Sequence, residues 1–144
     1  MHHVNLLTGI VLCLAAQGVA AADNLSNEAL RWTQSTMADK FAECSVFFNS
    51  MSIWPGMTDE ASLQLAELAD VSTKQLVGYV DGDTAAQKID TASASMWAPY
   101  NDRTVAVPPS AFISKYTSKC ARLLSATDVV LLDVMKEGDR RFPR

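Results

Sequence analysis

NEALRWTQSTMADKFAECSVFFNSMSI, residues 27–53, carries the pattern that decides the fold. Leu30, Gln34, Met37, Phe41, Cys44, Phe48 and Met51 recur at alternating spacings of four and three. That period places them on one stripe of an α-helix. Gln34 is the only polar member. Ser26 or Asn24 can cap the start, and Glu28 lies in the first turn, where the helix dipole favours an anion. Trp54-Pro55-Gly56 stops the helix.

Three further segments follow the same logic. Residues 59–79 form a second helix, with Thr58 as its cap and Ala61, Leu65, Leu68, Leu76 and Tyr79 on a less regular stripe. Residues 84–97 form a shorter third helix, capped by Asp83 and ended by Pro99, with Ala85, Ile89, Ala92 and Met96 on one side. Residues 110–137 form the fourth, in which Ile113, Tyr116, Cys120, Leu123, Thr127, Val130 and Val134 repeat the four-three spacing. Ser125-Ala126-Thr127-Asp128 resembles a capping box, a place for a break or kink. Gly138 offers a C-cap.

Four apolar-striped helices point to an all-α, up-down-up-down four-helix bundle, with a short third helix and a long loop before helix 4. Two cysteines support that arrangement. Cys44 stands 17 residues after Asn27, and Cys120 stands 17 residues before Glu137. At 1.5 Å per residue both sit about 26 Å above the same end of a bundle in which the first and last helices are antiparallel neighbours. Each belongs to its helix's apolar stripe, so one inter-helix disulfide, Cys44–Cys120, is expected.

The N-terminus differs from the rest. Residues 1–22 hold no Asp, Glu, Lys or Arg; Leu6–Ala16 is an apolar run, and the small residues Ala20, Ala21 and Ala22 precede the first charge, Asp23. This is the layout of a cleavable signal peptide. A retained membrane anchor is the other reading, with an apolar stretch at the lower limit for spanning a bilayer. Residues 1–22 are thus assigned to the signal, 23–138 to the helical domain and 139–144, with Arg140, Arg141 and Arg144, to a flexible basic tail. The compartment implied is periplasmic or secreted, where thiols oxidise.

Export would also remove both histidines, His2 and His3, and Cys13. A chain without histidine has no imidazole base for a Ser-His-Asp or Cys-His nucleophile and no His-ligated zinc or Glu-x-x-His di-iron site. No cofactor or metal, and no enzymatic activity, is therefore expected. Asp81 and Asp83 resemble the start of a calcium loop, but Ala86 and Ala92 occupy the positions that need Gly and Glu. The net charge of −4 gives no reason to expect nucleic acid or, after cleavage, a membrane surface as partner.

What remains is binding. Trp97 and Tyr100, opening the 98–109 loop, and Trp54 form the candidate binding surface, since flat aromatic faces on a loop suit a peptide, a sugar or another protein; the other reading is that these rings plug the upper groove of the bundle. Trp32, Val46 and Ile53 lie off the main stripe of the first helix. They form either a partner face or a second buried side of that helix, bridged by Phe47. Asp39 and Glu43 are an i,i+4 carboxylate pair, readable as an acid–base couple or as a solvated face beside Lys40. The leading expectation is a non-enzymatic accessory factor of the cell envelope that binds a protein or peptide, its identity and the oligomeric state left open. The alternatives are a small-ligand-binding or carboxylate-dependent hydrolytic protein, or a membrane-tethered subunit of a larger complex.

Overall fold

The computed structural model describes residues 25–101 and 109–144. The signal segment 1–22 and positions 102–108 of the expected 98–109 loop lie outside the described residues. Among the described residues there are five helices and no strand: α1 (Asn27–Ser52), α2 (Asp59–Tyr79), α3 (Gly82–Asn101), α4 (Pro109–Ser125) and α5 (Thr127–Arg141). None of them is long and apolar enough to cross a membrane.

The described residues divide into two compact units, one comprising 25–33 with Asp128–Arg144, the other the described part of Gln34–Thr127. In the first, the opening turns of α1 pack on α5. Ser26 caps α1: its Oγ accepts from Ala29 N at 3.1 Å and donates to Phe142 O at 2.8 Å. Gly138 permits close approach here, because a Cβ on it would lie 3.0 Å from Thr33 Oγ1 and 3.2 Å from the Ala29 carbonyl oxygen. The Arg141 guanidinium lies 5.0 Å from the centre of the Trp32 ring.

The larger unit holds the disulfide. Cys44 and Cys120 are joined with their Cα atoms 5.4 Å apart, both fully buried. The other buried residues of this unit include Met37, Phe41, Phe47 and Phe48 of α1, Leu76 of α2, Met96 of α3, and Phe112, Tyr116 and Leu123 of α4. Phe41 stacks on Tyr79 at 5.8 Å between ring centres. Thr58 caps α2, accepting from Ala61 N at 3.2 Å. The polar stretch within α2 does not break it: Ser72 is fully buried, and Ser72 and Thr73 donate to the carbonyls of Leu68 (2.8 Å) and Ala69 (3.0 Å) inside a continuous helix.

Several local expectations are corrected. The third helix is not short: α3 has 20 residues and contains Pro99. It starts earlier because Asp81, not Asp83, is the cap, accepting from Thr84 N at 2.9 Å and from Thr84 Oγ1 at 2.7 Å. It ends later because Trp97 and Tyr100 pack edge to face at 5.6 Å and both pack on Phe112 of α4, contacts that hold the last turn despite the missing proline donor. The fourth helix is two helices, interrupted at Ala126, so the four-helix count becomes five. Flanking the break, Ser125 Oγ donates to Ala121 O (2.7 Å) and Thr127 Oγ1 to Leu123 O (2.6 Å), a pattern that bends helices. Gly138 does not end the last helix, and the expected tail is partly ordered: α5 runs through Gly138 to Arg141, with Glu137 bridging Arg140 and Arg141.

Candidate functional site

Within the larger unit, α1, α2 and α4 enclose an open apolar groove of about 570 Å³. Its floor is Phe47, Phe48 and Met51 of α1; Leu65 and Leu68 of α2 form one wall, and Ile113 and Leu124 of α4 form the other. Met57 reaches the mouth from the connection between α1 and α2. That connection turns sharply at Gly56, whose φ of 91° is a conformation only glycine adopts without strain. The space exists because α4 presents Thr117, Ala121 and Ser125 at four-residue intervals, where longer side chains would close it. Among the described residues, Thr117 and Ser125 are the only polar side chains of the lining. Volume and chemistry match those of sites that take apolar groups. Met51 and Met57 add unbranched, adaptable surface.

The residues singled out as a binding surface stand behind this groove. Trp97 stacks on Trp54 (6.3 Å between ring centres, planes 10° apart) and on Phe112 (5.3 Å, 25°). Tyr100 meets Trp97 and Phe112 edge-on. Phe112 in turn contacts Phe47, 5.8 Å away, which lines the groove. Trp54, Trp97 and Tyr100 are half-buried, and Trp97 and Tyr100 belong to the last turn of α3 instead of a loop. Their rings are spent largely on one another, making a rigid aromatic wall.

Trp32, Val46 and Ile53 do not form one exposed face. Val46 is buried at 7% exposure, Trp32 is half-covered under Arg141, and Ile53 alone is open at 79%. Burial of α1 on a second side, with Phe47 as the bridge, accounts for Val46.

The carboxylate pair is divided between two lysines. Lys88 Nζ lies 2.5 Å from Asp39 Oδ1 and 3.0 Å from Ser35 Oγ, and Lys119 pairs with Glu43. Among the described residues no Asp or Glu is buried, and none of their Cys, Asp and Glu groups could hold a metal ion. Asp81 serves as a helix cap; its two hydrogen bonds from Thr84 hold its carboxyl below the usual range. All three tyrosines are pushed up, each chiefly by burial. For Tyr116 the nearby Glu43 carboxylate adds to the rise and Lys119 opposes it.

The groove itself escaped sequence reading. Its signal was a second stripe on α4, Ile113, Thr117, Ala121 and Ser125, adjoining the cysteine stripe and short in three of its four members. Compared with family models, curated proteins and solved structures, the chain matches none.

Proposed function

We propose that this protein is a non-enzymatic binding module that receives apolar side chains of a partner polypeptide in the groove between α1, α2 and α4. The observation that carries this reading is the groove: about 570 Å³, open to solvent, and lined almost wholly by aliphatic, aromatic and methionine side chains. A segment of amphipathic helix offers anchors at i, i+3/i+4 and i+7 suited to such a surface. Each buried Leu- or Phe-sized anchor contributes about 1.5–3 kcal/mol, and two or three of them must also offset the cost of association. The expected complex is weak and exchangeable, in the micromolar to millimolar range.

In this proposal the helices follow an up-down-up-down bundle whose fourth member is broken at Ala126, and the protein works outside the cytoplasm. The buried disulfide is compatible with that compartment, and the apolar N-terminal run with small residues before Asp23 supports export. The aromatic wall of Trp54, Trp97 and Tyr100 acts as a support that keeps Phe47 in place. A carboxylate-dependent hydrolase has no comparable support, since Asp39 and Glu43 are both ion-paired.

The test fills the groove. Ala121 is exposed and lines it, so Ala121→Trp occupies the space without removing any core side chain. A fluorescently labelled, leucine-rich amphipathic peptide is titrated against both proteins and read by anisotropy. The variant is expected to bind at least tenfold more weakly with its thermal midpoint unchanged or raised. Equal binding by a folded Ala121→Trp protein overturns the proposal.

A further inference from the structure

A second crevice, of about 430 Å³, lies between α1, α2 and α3 and shares no residue with the apolar groove. Its chemistry is different: roughly half of its wall is polar, supplied by Ser45, Asn49 and Ser50 of α1, Asp70 and Thr73 of α2, and Asp90 and Ser93 of α3.

The hydrogen bonds at its floor have a direction. Thr73 Oγ1 donates its single proton to the Ala69 carbonyl at 3.0 Å. In the 2.7 Å contact between Thr73 Oγ1 and Ser45 Oγ, the donor is therefore Ser45. Ser45 is 6% exposed and lines the crevice, so this buried hydroxyl has no proton left to offer and an oxygen that accepts nothing. The carboxylates add to the same bias. Asp70 is held by Lys74 at 2.6 Å, whereas Asp90 has no ion-pair or hydrogen-bond partner among the described residues. Among the described residues no Lys or Arg lines the crevice. Val46, Ala66, Ala69 and Ile89 supply apolar wall between these acceptors.

A cavity that accepts hydrogen bonds, carries one uncompensated carboxylate and has aliphatic walls selects a donor with positive charge and a short hydrocarbon body. We infer that the crevice between α1, α2 and α3 is a binding site for a small aliphatic ammonium compound, with the cation paired to Asp90, an N–H directed to Ser45 Oγ, and the methylenes against Val46 and Ile89. A polyol is disfavoured because it brings no positive charge to pair with Asp90. This site is independent of the peptide groove and stands or falls without it.

The experiment is calorimetric titration of the disulfide-bonded protein with diaminobutane, with butanediol as the uncharged control of the same carbon length and sodium chloride matching the ionic strength. Diaminobutane is expected to bind with a stoichiometry of one, and butanediol to give no saturable signal. Asp90 is exposed on α3, so Asp90→Asn keeps the fold; it is expected to weaken diaminobutane at least tenfold. Ala121→Trp, which alters only the other cavity, leaves diaminobutane binding unchanged. Binding of butanediol as tight as that of diaminobutane, or an Asp90→Asn protein with undiminished affinity, overturns the inference.

Discussion

Removing the covalent tie between α1 and α4 is the perturbation with the largest calculable effect. Cys44 and Cys120 are 76 residues apart in sequence. Closing a loop of that length lowers the entropy of the unfolded chain by an amount worth about 4–5 kcal/mol at room temperature in the chain-entropy model. Both sulfurs are fully buried, so Cys44→Ala/Cys120→Ala also removes packing contacts and adds to that figure. For a domain whose whole stability falls in the range of about 5–15 kcal/mol, the double variant is expected at the edge of folding. The assay is urea unfolding followed by tryptophan fluorescence, Trp54 and Trp97 both lying in the unit that contains the bridge. With a slope of about 1.5 kcal/mol per molar, a loss of about 4.5 kcal/mol moves the midpoint down by about 3 M. Reduction of the wild-type protein should be slow without denaturant, because a thiolate reaches the buried sulfurs only after the helices part. A midpoint shift worth less than about 1 kcal/mol would refute the reasoning and mean that packing alone holds α1 and α4 together.

Three further outcomes follow from the same structure. Gly138→Ala places a methyl 3.0 Å from Thr33 Oγ1, 3.2 Å from Ala29 O and 3.3 Å from the Trp32 ring. Overpacking of about 1–3 kcal/mol outweighs a helix-propensity gain of about 1 kcal/mol, so thermal unfolding should show a net loss of about 1 kcal/mol; a net gain contradicts the close contact. Burial raises Tyr79, Tyr100 and Tyr116 above their ordinary value of 10.0, so their contribution is complete below that pH and is lost as pH rises through the folded values. Tyrosinate absorbance should accordingly lag behind that of the free amino acid and appear together with unfolding. Intact-mass measurement of material exported by its native host should place the N-terminus at Ala21, Ala22 or Asp23, whereas a retained Met1 would favour an anchor.

The parts of this molecule that were legible in sequence are those set by local periodicity. The stripe from Leu30 to Met51 identified α1, and the matching heights of Cys44 and Cys120 placed two sulfurs that do bond. Where local signals compete with contacts distant in sequence, reading by segment gave way. Pro99 is a helix breaker by rule, yet α3 continues past it because Trp97 and Tyr100 both pack on Phe112, a residue of α4. Gly138 is a stop signal by rule, yet it sits inside α5 because its missing Cβ admits Thr33 and Ala29. Sequence left open whether Trp97 and Tyr100 face a ligand or fill the bundle, because rings that satisfy one another look, in sequence, like rings awaiting a ligand. The groove was hidden for the opposite cause. It is made by what Thr117, Ala121 and Ser125 do not fill, and a void among three helices has no signature in any one of them.

Methionine methyl resonances offer the most direct test of the groove as a docking site, because the protein carries its own control. Met51 and Met57 line the groove, while Met37, Met96 and Met135 are buried outside it. On titration with the leucine-rich amphipathic peptide, the Met51 and Met57 methyl signals are expected to move saturably while those of Met37, Met96 and Met135 stay in place. Stationary Met51 and Met57 signals at saturating peptide, or equal movement of all five, would contradict the account.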